Sequence, residues 1–173
     1  SAPEGGISIP DGAEAALKGG TLRAGILDID AANNSKAYTL AGAVAGSGTA
    51  AIGAAINVVT IGDTTRASVD GSALEVSETL DVNAAANATT KTLAIAGALA
   101  GTASIAGSNT SNFIDNTTEA SIAGVTAQGT GVTGDVTVRA DTQGKTYSLA
   151  GALAVGGTAG VGAASSVNSI AGP

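Results

Sequence analysis

The chain says nearly the same thing three times. Lys36-Ala37-Tyr38-Thr39-Leu40-Ala41-Gly42-Ala43 returns as Lys91-Thr92-Leu93-Ala94-Ile95-Ala96-Gly97-Ala98, and again as Lys145-Thr146-Tyr147-Ser148-Leu149-Ala150-Gly151-Ala152. The lysines that open these copies are 55 and 54 residues apart. A fixed period of this size marks stacked supersecondary units, each unable to bury its apolar face alone. It directs attention to a scaffold, fibre or adhesive surface before a catalytic pocket.

The residues available to fill a core are small. The 173 residues include 26 Gly, one Phe, two Tyr and no Trp, Met, Cys or His. A wide globular core needs large side chains to reach crystal-like density. This chain must instead build a thin interior from Ala, Val, Ile and Leu, which suits a narrow solenoid. The missing types also remove chemistries. Without His or Cys there is no zinc site of the usual kind, no haem axial histidine, no thiol nucleophile and no Ser-His-Asp triad. The net charge of −7 argues against nucleic-acid binding and fits a solvated surface. No catalytic, cofactor-binding or metal residue is expected, and no cofactor.

Along the chain, residues 1–19 stand outside the repeat as an N-terminal arm or cap. Asp11 is placed to cap a short helical turn through Ala13–Lys18, stopped by Gly19-Gly20. The chain opens Ser1-Ala2-Pro3 without an initiator Met, as expected of a processed product or a segment of something longer. Residues 20–173 form the repeat domain, in periods of approximately 20–78, 79–133 and 134–173.

Each period has two textures. Leu27-Asp28-Ile29-Asp30-Ala31, Leu80-Asp81-Val82-Asn83-Ala84 and Val136-Thr137-Val138-Arg139-Ala140 alternate strictly, as half-buried strands do. Leu40–Ile61, Leu93–Gly107 and Leu149–Ala164 are small and apolar on both faces, which is how doubly covered strands read. Polar clusters between them are expected to be corners: Asn33-Asn34-Ser35, Gly62–Thr65, Asn87–Thr90, Asp115–Thr118 and Asp141–Gly144. Val82 to Lys91 is two residues longer than its counterparts, an insertion expected in a turn. A period near 55 is expected to divide into about three coils of roughly 18 residues, a plausible β-helix rung length. The apolar residues of one period cannot offset the cost of ordering its own backbone, so successive rungs must share their contacts.

Other readings of particular residues are weaker. The uncharged stretches after Lys36 and Lys91 are long enough to raise membrane-spanning helices, but they carry too much Gly, Ser, Thr and Asn. Asp28 and Asp30 share a strand face yet become Asp81/Asn83 and Thr137/Arg139 in later copies, as solvated positions drift. Lys36, Lys91 and Lys145 read as one row along a corner, a device that protects edges, with a polyanion-binding ladder as the rarer reading.

Further elements recur beside the echo. Ala67-Ser68-Val69-Asp70 and Ala120-Ser121-Ile122-Ala123, the Leu-x-Val-x-Ala strand, and the closing Ala54-Ala55-Ile56-Asn57 and Ala164-Ser165-Ser166-Val167-Asn168 accompany each Leu-Ala-Gly-Ala core. Over residues 20 to 172 the chain resembles the repeats of very large bacterial filamentous adhesins, including leukotoxin-like adhesins and haemagglutinin-type exoproteins. That resemblance implies an all-β, right-handed parallel β-helix, exported to the cell surface for structural or adhesive work. The chain would be a fragment of such an adhesin or a short subunit that rebuilds the fibre.

The expected partners are copies of the same chain, meeting through open end rungs or Gly/Ala-rich strands. Candidate self-association residues are Ile7, Ile9, Leu40, Ala43, Val44, Leu93, Ile95, Leu149 and Ala152. Host or cell-surface glycans or proteins are further candidate partners; nucleic acid and membrane insertion are not expected. The rival from another class is a polysaccharide-acting β-helix enzyme, which needs clustered acids and aromatic platforms. Tyr38, Tyr147 and Phe113 are the only aromatics available for one.

Overall fold

The computed structural model describes residues 4–172, and over them the chain is all-β with every strand pairing parallel. The strands are β1 (Glu4–Lys18), β2 (Thr21–Ser47), β3 (Ala50–Asp70), β4 (Ala73–Ala100), β5 (Ala103–Asp115), β6 (Thr117–Ala123), β7 (Thr126–Val132), β8 (Asp135–Gly156) and β9 (Ala159–Ala171). The chain crosses from one sheet to the other after nearly every strand. The first sheet has the order β1-β3-β5-β9, with β6 also on β3; the second has β2-β4-β7, with β8 also on β4. This is a β-solenoid of two facing sheets.

Each period makes one coil, not three. Thr21 lies against Ala73, Ala50 against Ala103 and Thr79 against Asp135, so paired residues are 52 to 56 apart. The polar clusters expected to be corners lie inside strands: Asn33–Ser35 in β2, Gly62–Thr65 in β3, Asn87–Thr90 in β4 and Asp141–Gly144 in β8. Only Asn116 interrupts, between β5 and β6. The physical reason is that these clusters keep period-two alternation. Their inward members are small or mid-sized (Ser35, Asp63, Thr65, Ala88, Thr90), so a strand runs on through them to 28 residues in β4, several times the usual length.

The real corners are two-residue links that each contain glycine. On one side, Gly19-Gly20, Gly71-Ser72 and Gly124-Val125 turn the chain with φ of +67°, +84°, +60° and +61° at the four glycines. On the other, Gly48-Thr49, Gly101-Thr102 and Gly157-Thr158 stack directly. There a Cβ on Gly101 would overlap the carbonyl of Gly48, and one on Gly157 the carbonyl of Gly101. Thr102 N–H donates to Thr49 O at 3.0 Å, and Thr158 N–H to Thr102 O at 2.9 Å.

Two further expectations are corrected. Residues 13–18 form no helical turn; they belong to β1, with Ala13 opposite Thr65 and Lys18 opposite Asp70. The two-residue insertion before Lys91 does not exist. Ile29–Val82–Val138 and Leu40–Leu93–Leu149 are in register with no shift between them. The added length sits near β7, where Leu74 pairs Ala127 but Val76 pairs Val132, and Gly129 and Gly131 take positive φ to fold the excess away. The stretches raised as membrane helices are strands; no helix of the described residues is long and apolar enough to cross a membrane.

The interior has three zones. Near the Gly71 side, Leu74, Val76, Leu80 and Val82 of β4 pack on Ala67 and Val69 of β3 and Ile29 of β2. Val59, Ile61 and Ile114 form a second aliphatic cluster over Ala37 and Ala88, separated from the first along the strands by buried Asp63, Thr65 and Asn116. Near the Gly-Thr corners the filling is almost all alanine: Ala94, Ala96 and Ala98 face Ala51, Ala55 and Ala106, with Ser104 and Ser108 buried beside Ala106. The sheets approach so closely there that a Cβ on Gly53 would overlap the carbonyl of Gly97. Between the lobes lies a polar layer. Asn112 Nδ2 donates to Thr92 Oγ1 at 2.9 Å and to Asn168 Oδ1 at 2.8 Å, and Thr39 Oγ1 donates to Asn57 Oδ1 at 2.9 Å. The recurrent closing asparagine is therefore an interior bridge between sheets.

Candidate functional site

The alanine lobe turns the usual distribution of side chains inside out. Alternation along β2, β4 and β8 sends alanine inward and the larger residues out. Leu40 is 73% exposed and Val44 82%. Ile95, Leu99, Leu149, Leu153 and Val155 are also exposed, and Leu93 is half-buried. In register, Leu40–Leu93–Leu149 form one row running across the rungs. The next rows are Gly42–Ile95–Gly151 and Val44–Gly97–Leu153, in which a large residue flanks a glycine in alternating sense. The result is a chequered apolar face of knobs and hollows. The first sheet has a counterpart: Ile52, 73% exposed, stands in a ridge with Ile105 and Val161, beside an open groove of ≈ 330 Å³ over Ala54, Gly107 and Ala163.

Of the candidate self-association residues, Leu40, Val44, Leu93, Ile95 and Leu149 come together on this outer face. Ala43 and Ala152 do not; they point inward and pack in the alanine lobe. Ile7 and Ile9 lie in β1 opposite Val59 and Ile61, and their side chains fall outside the described part of the structure. Leu99, Leu153, Val155, Ile52, Ile105 and Val161 are additions. Their parity relative to alanine was visible in the sequence, but nothing there said which parity was outward.

The same outer face changes chemistry beyond the leucine row. Tyr38–Lys91–Tyr147 form the adjoining row, then Lys36–Thr89–Lys145, then Asn34–Asn87–Gln143. The three lysines therefore do not form one row: Lys91 stands one row over, between the two tyrosines. Its Nζ is 5.5 Å from the Tyr38 ring centre and 5.8 Å from that of Tyr147, within cation–π range. The Tyr38–Lys91–Tyr147 and Leu40–Leu93–Leu149 rows together line an open hollow of ≈ 400 Å³.

Charge pairing separates these lysines from the other cations. Lys18 holds Glu14, Arg23 holds Glu75, Arg66 holds Glu119 and Arg139 holds Asp141. Lys18 donates to Glu14 Oε1 at 3.0 Å and keeps that carboxyl below its ordinary pKa. Lys36, Lys91 and Lys145 make no ion pair among the described residues. The converse case is Asp63. It is 2% exposed, and among the described residues both carboxylate oxygens lack a hydrogen-bond partner, as do the side-chain atoms of Asn116 and the hydroxyl of Thr65.

Compared with protein-family models, with curated proteins and with solved structures, the chain matches none.

Proposed function

We propose that this chain is a stretch of an extracellular, structural or adhesive β-solenoid of the bacterial surface-fibre kind, which associates with copies of itself. The observation that carries this is the inverted lobe: alanine seals the interior while leucine, isoleucine and valine stand in solvent on both outer faces. An exposed apolar surface of this extent marks an interaction site. A second copy fits it because the rows repeat at the inter-strand spacing of about 4.8 Å, common to every copy. The Leu40–Leu93–Leu149 ridge of one molecule is complementary to the Ala54–Gly107–Ala163 groove of another, rung for rung. Edge strands β2 and β8, each paired on one side within its sheet, offer a second mode by adding rungs.

Sedimentation velocity over a concentration series, with electron microscopy of the concentrated sample, tests this reading. Assemblies that grow with concentration and shrink in the doubly substituted Leu40→Ser, Leu149→Ser protein are the expected result. A monomer throughout, filmed as single short particles, refutes it.

A further inference from the structure

We infer that the tyrosine–lysine patch of the second sheet is a binding site for an acidic polysaccharide, one whose sugars carry carboxylates. This deepens the adhesive half of the reading above and rests on it for the ligand class. The chain has seven cations. Four are neutralised by carboxylate partners. The three without such a partner among the described residues converge on one outer patch, in a protein of net charge −7. Chance placement on an acidic surface would bring carboxylates close. Instead, Asp28, Asp30 and Asp81 stand three or more rows from the lysine row, and Asp141, which is nearer, is held by Arg139.

The patch also holds both tyrosines of the chain. Strand spacing puts Lys36 and Lys145 about 10 Å apart at the backbone, with Lys91 about 8 Å from each. The two rings steady the Lys91 ammonium from either side without cancelling its charge. That reduces the side-chain entropy a ligand must remove. Three cations answer carboxylates, tyrosine faces answer the apolar faces of sugar rings, and the amide row of Asn34, Asn87 and Gln143 answers hydroxyls. A nucleic acid would need a broader basic surface. An anionic membrane would bring the acids of the same face against its own charge.

The tyrosines supply the assay. With no tryptophan in the chain, tyrosine emission reports this patch alone. The probes are polygalacturonate, the same polymer with its carboxylates methyl-esterified, and vesicles of phosphatidylglycerol. We expect a saturable emission change with polygalacturonate that weakens with salt, and none with the ester. Lys91→Gln should weaken binding about tenfold, the scale of one charge-assisted contact. Tyr38→Ala with Tyr147→Ala, read by calorimetry, should weaken it with all three lysines present, which a purely electrostatic attraction would not do. Circular dichroism checks that these exposed substitutions leave the sheets intact. Equal binding of the ester, unchanged affinity in the variants, or binding to vesicles but not to polygalacturonate overturns the proposal. Loss of polymer binding in Lys91→Gln with undiminished growth of assemblies would separate this site from self-association.

Discussion

Asp63 shows how far one residue can stand from its optimum. Its carboxylate is buried, with no donor for either oxygen among the described residues. A buried polar group left unpaired costs about 1–3 kcal/mol, and more when charged. Asp63→Asn keeps the shape and removes the charge, so it should raise unfolding stability by about 1–3 kcal/mol. Urea denaturation measures this, and an unchanged or lower midpoint contradicts it. Glycine divides at the same scale into places that need it and places that do not. At Gly53 an added methyl meets the Gly97 carbonyl, while at Gly151 it meets nothing within 4 Å. Gly53→Ala should cost about 1–3 kcal/mol through overpacking. Gly151→Ala should cost nothing and reduces unfolded-state freedom. Equal effects of the two would remove the claim of backbone-to-backbone contact.

Within a single strand, β4 carries both the aliphatic and the inverted pattern. Its inward residues pass from Leu74, Val76, Leu80 and Val82 through alanines and threonines to Ala94, Ala96 and Ala98. The outward ones pass from Asp81 to Lys91 and then to Ile95 and Leu99. Neighbouring positions should therefore answer opposite substitutions. Ala96→Leu forces a large side chain between touching sheets and should destabilise by about 1–3 kcal/mol or more. Ile95→Ala deletes a large side chain that is half in solvent, and should cost about 1 kcal/mol or less. Thermal unfolding of the pair decides whether the leucine-rich parity is inside or outside; a costly Ile95→Ala with a tolerated Ala96→Leu would reverse the assignment.

For the molecule as a whole, every strand pairing joins residues at least 52 apart, since each coil closes only after crossing both sheets. Loop-closure entropy must be overcome before any such contact forms. Refolding from denaturant should accordingly be slow, with relaxation times of about a second or longer. Stopped-flow circular dichroism that recovered all its amplitude within milliseconds would show that some smaller unit folds first. The same topology explains how one molecule can offer two different outer surfaces on one sheet. Rows run across the rungs, so each position of the coil becomes a stripe of one chemistry: acids, amides, lysine with tyrosine, then leucine.

The amino-acid sequence by itself determined the strand class, the approximate period and the narrow interior. Alternation and the scarcity of large residues depend only on local geometry and available volume. The threefold echo around Leu40, Leu93 and Leu149 also marked the segment that carries the outer apolar row. What it could not determine was where the coil turns, because Asn33-Asn34-Ser35 is as compatible with a strand interior as with a corner, and Gly48-Thr49 is as quiet as any other Gly-containing pair. Nor could it determine which side of a doubly apolar strand faces in. Matching lysine to lysine placed Lys36, Lys91 and Lys145 in one row, whereas inter-strand hydrogen bonding matches leucine to leucine and sets Lys91 between Tyr38 and Tyr147. Register, inside and outside, and the meeting of distant side chains are properties of paired strands. They exist only once the second sheet lies against the first.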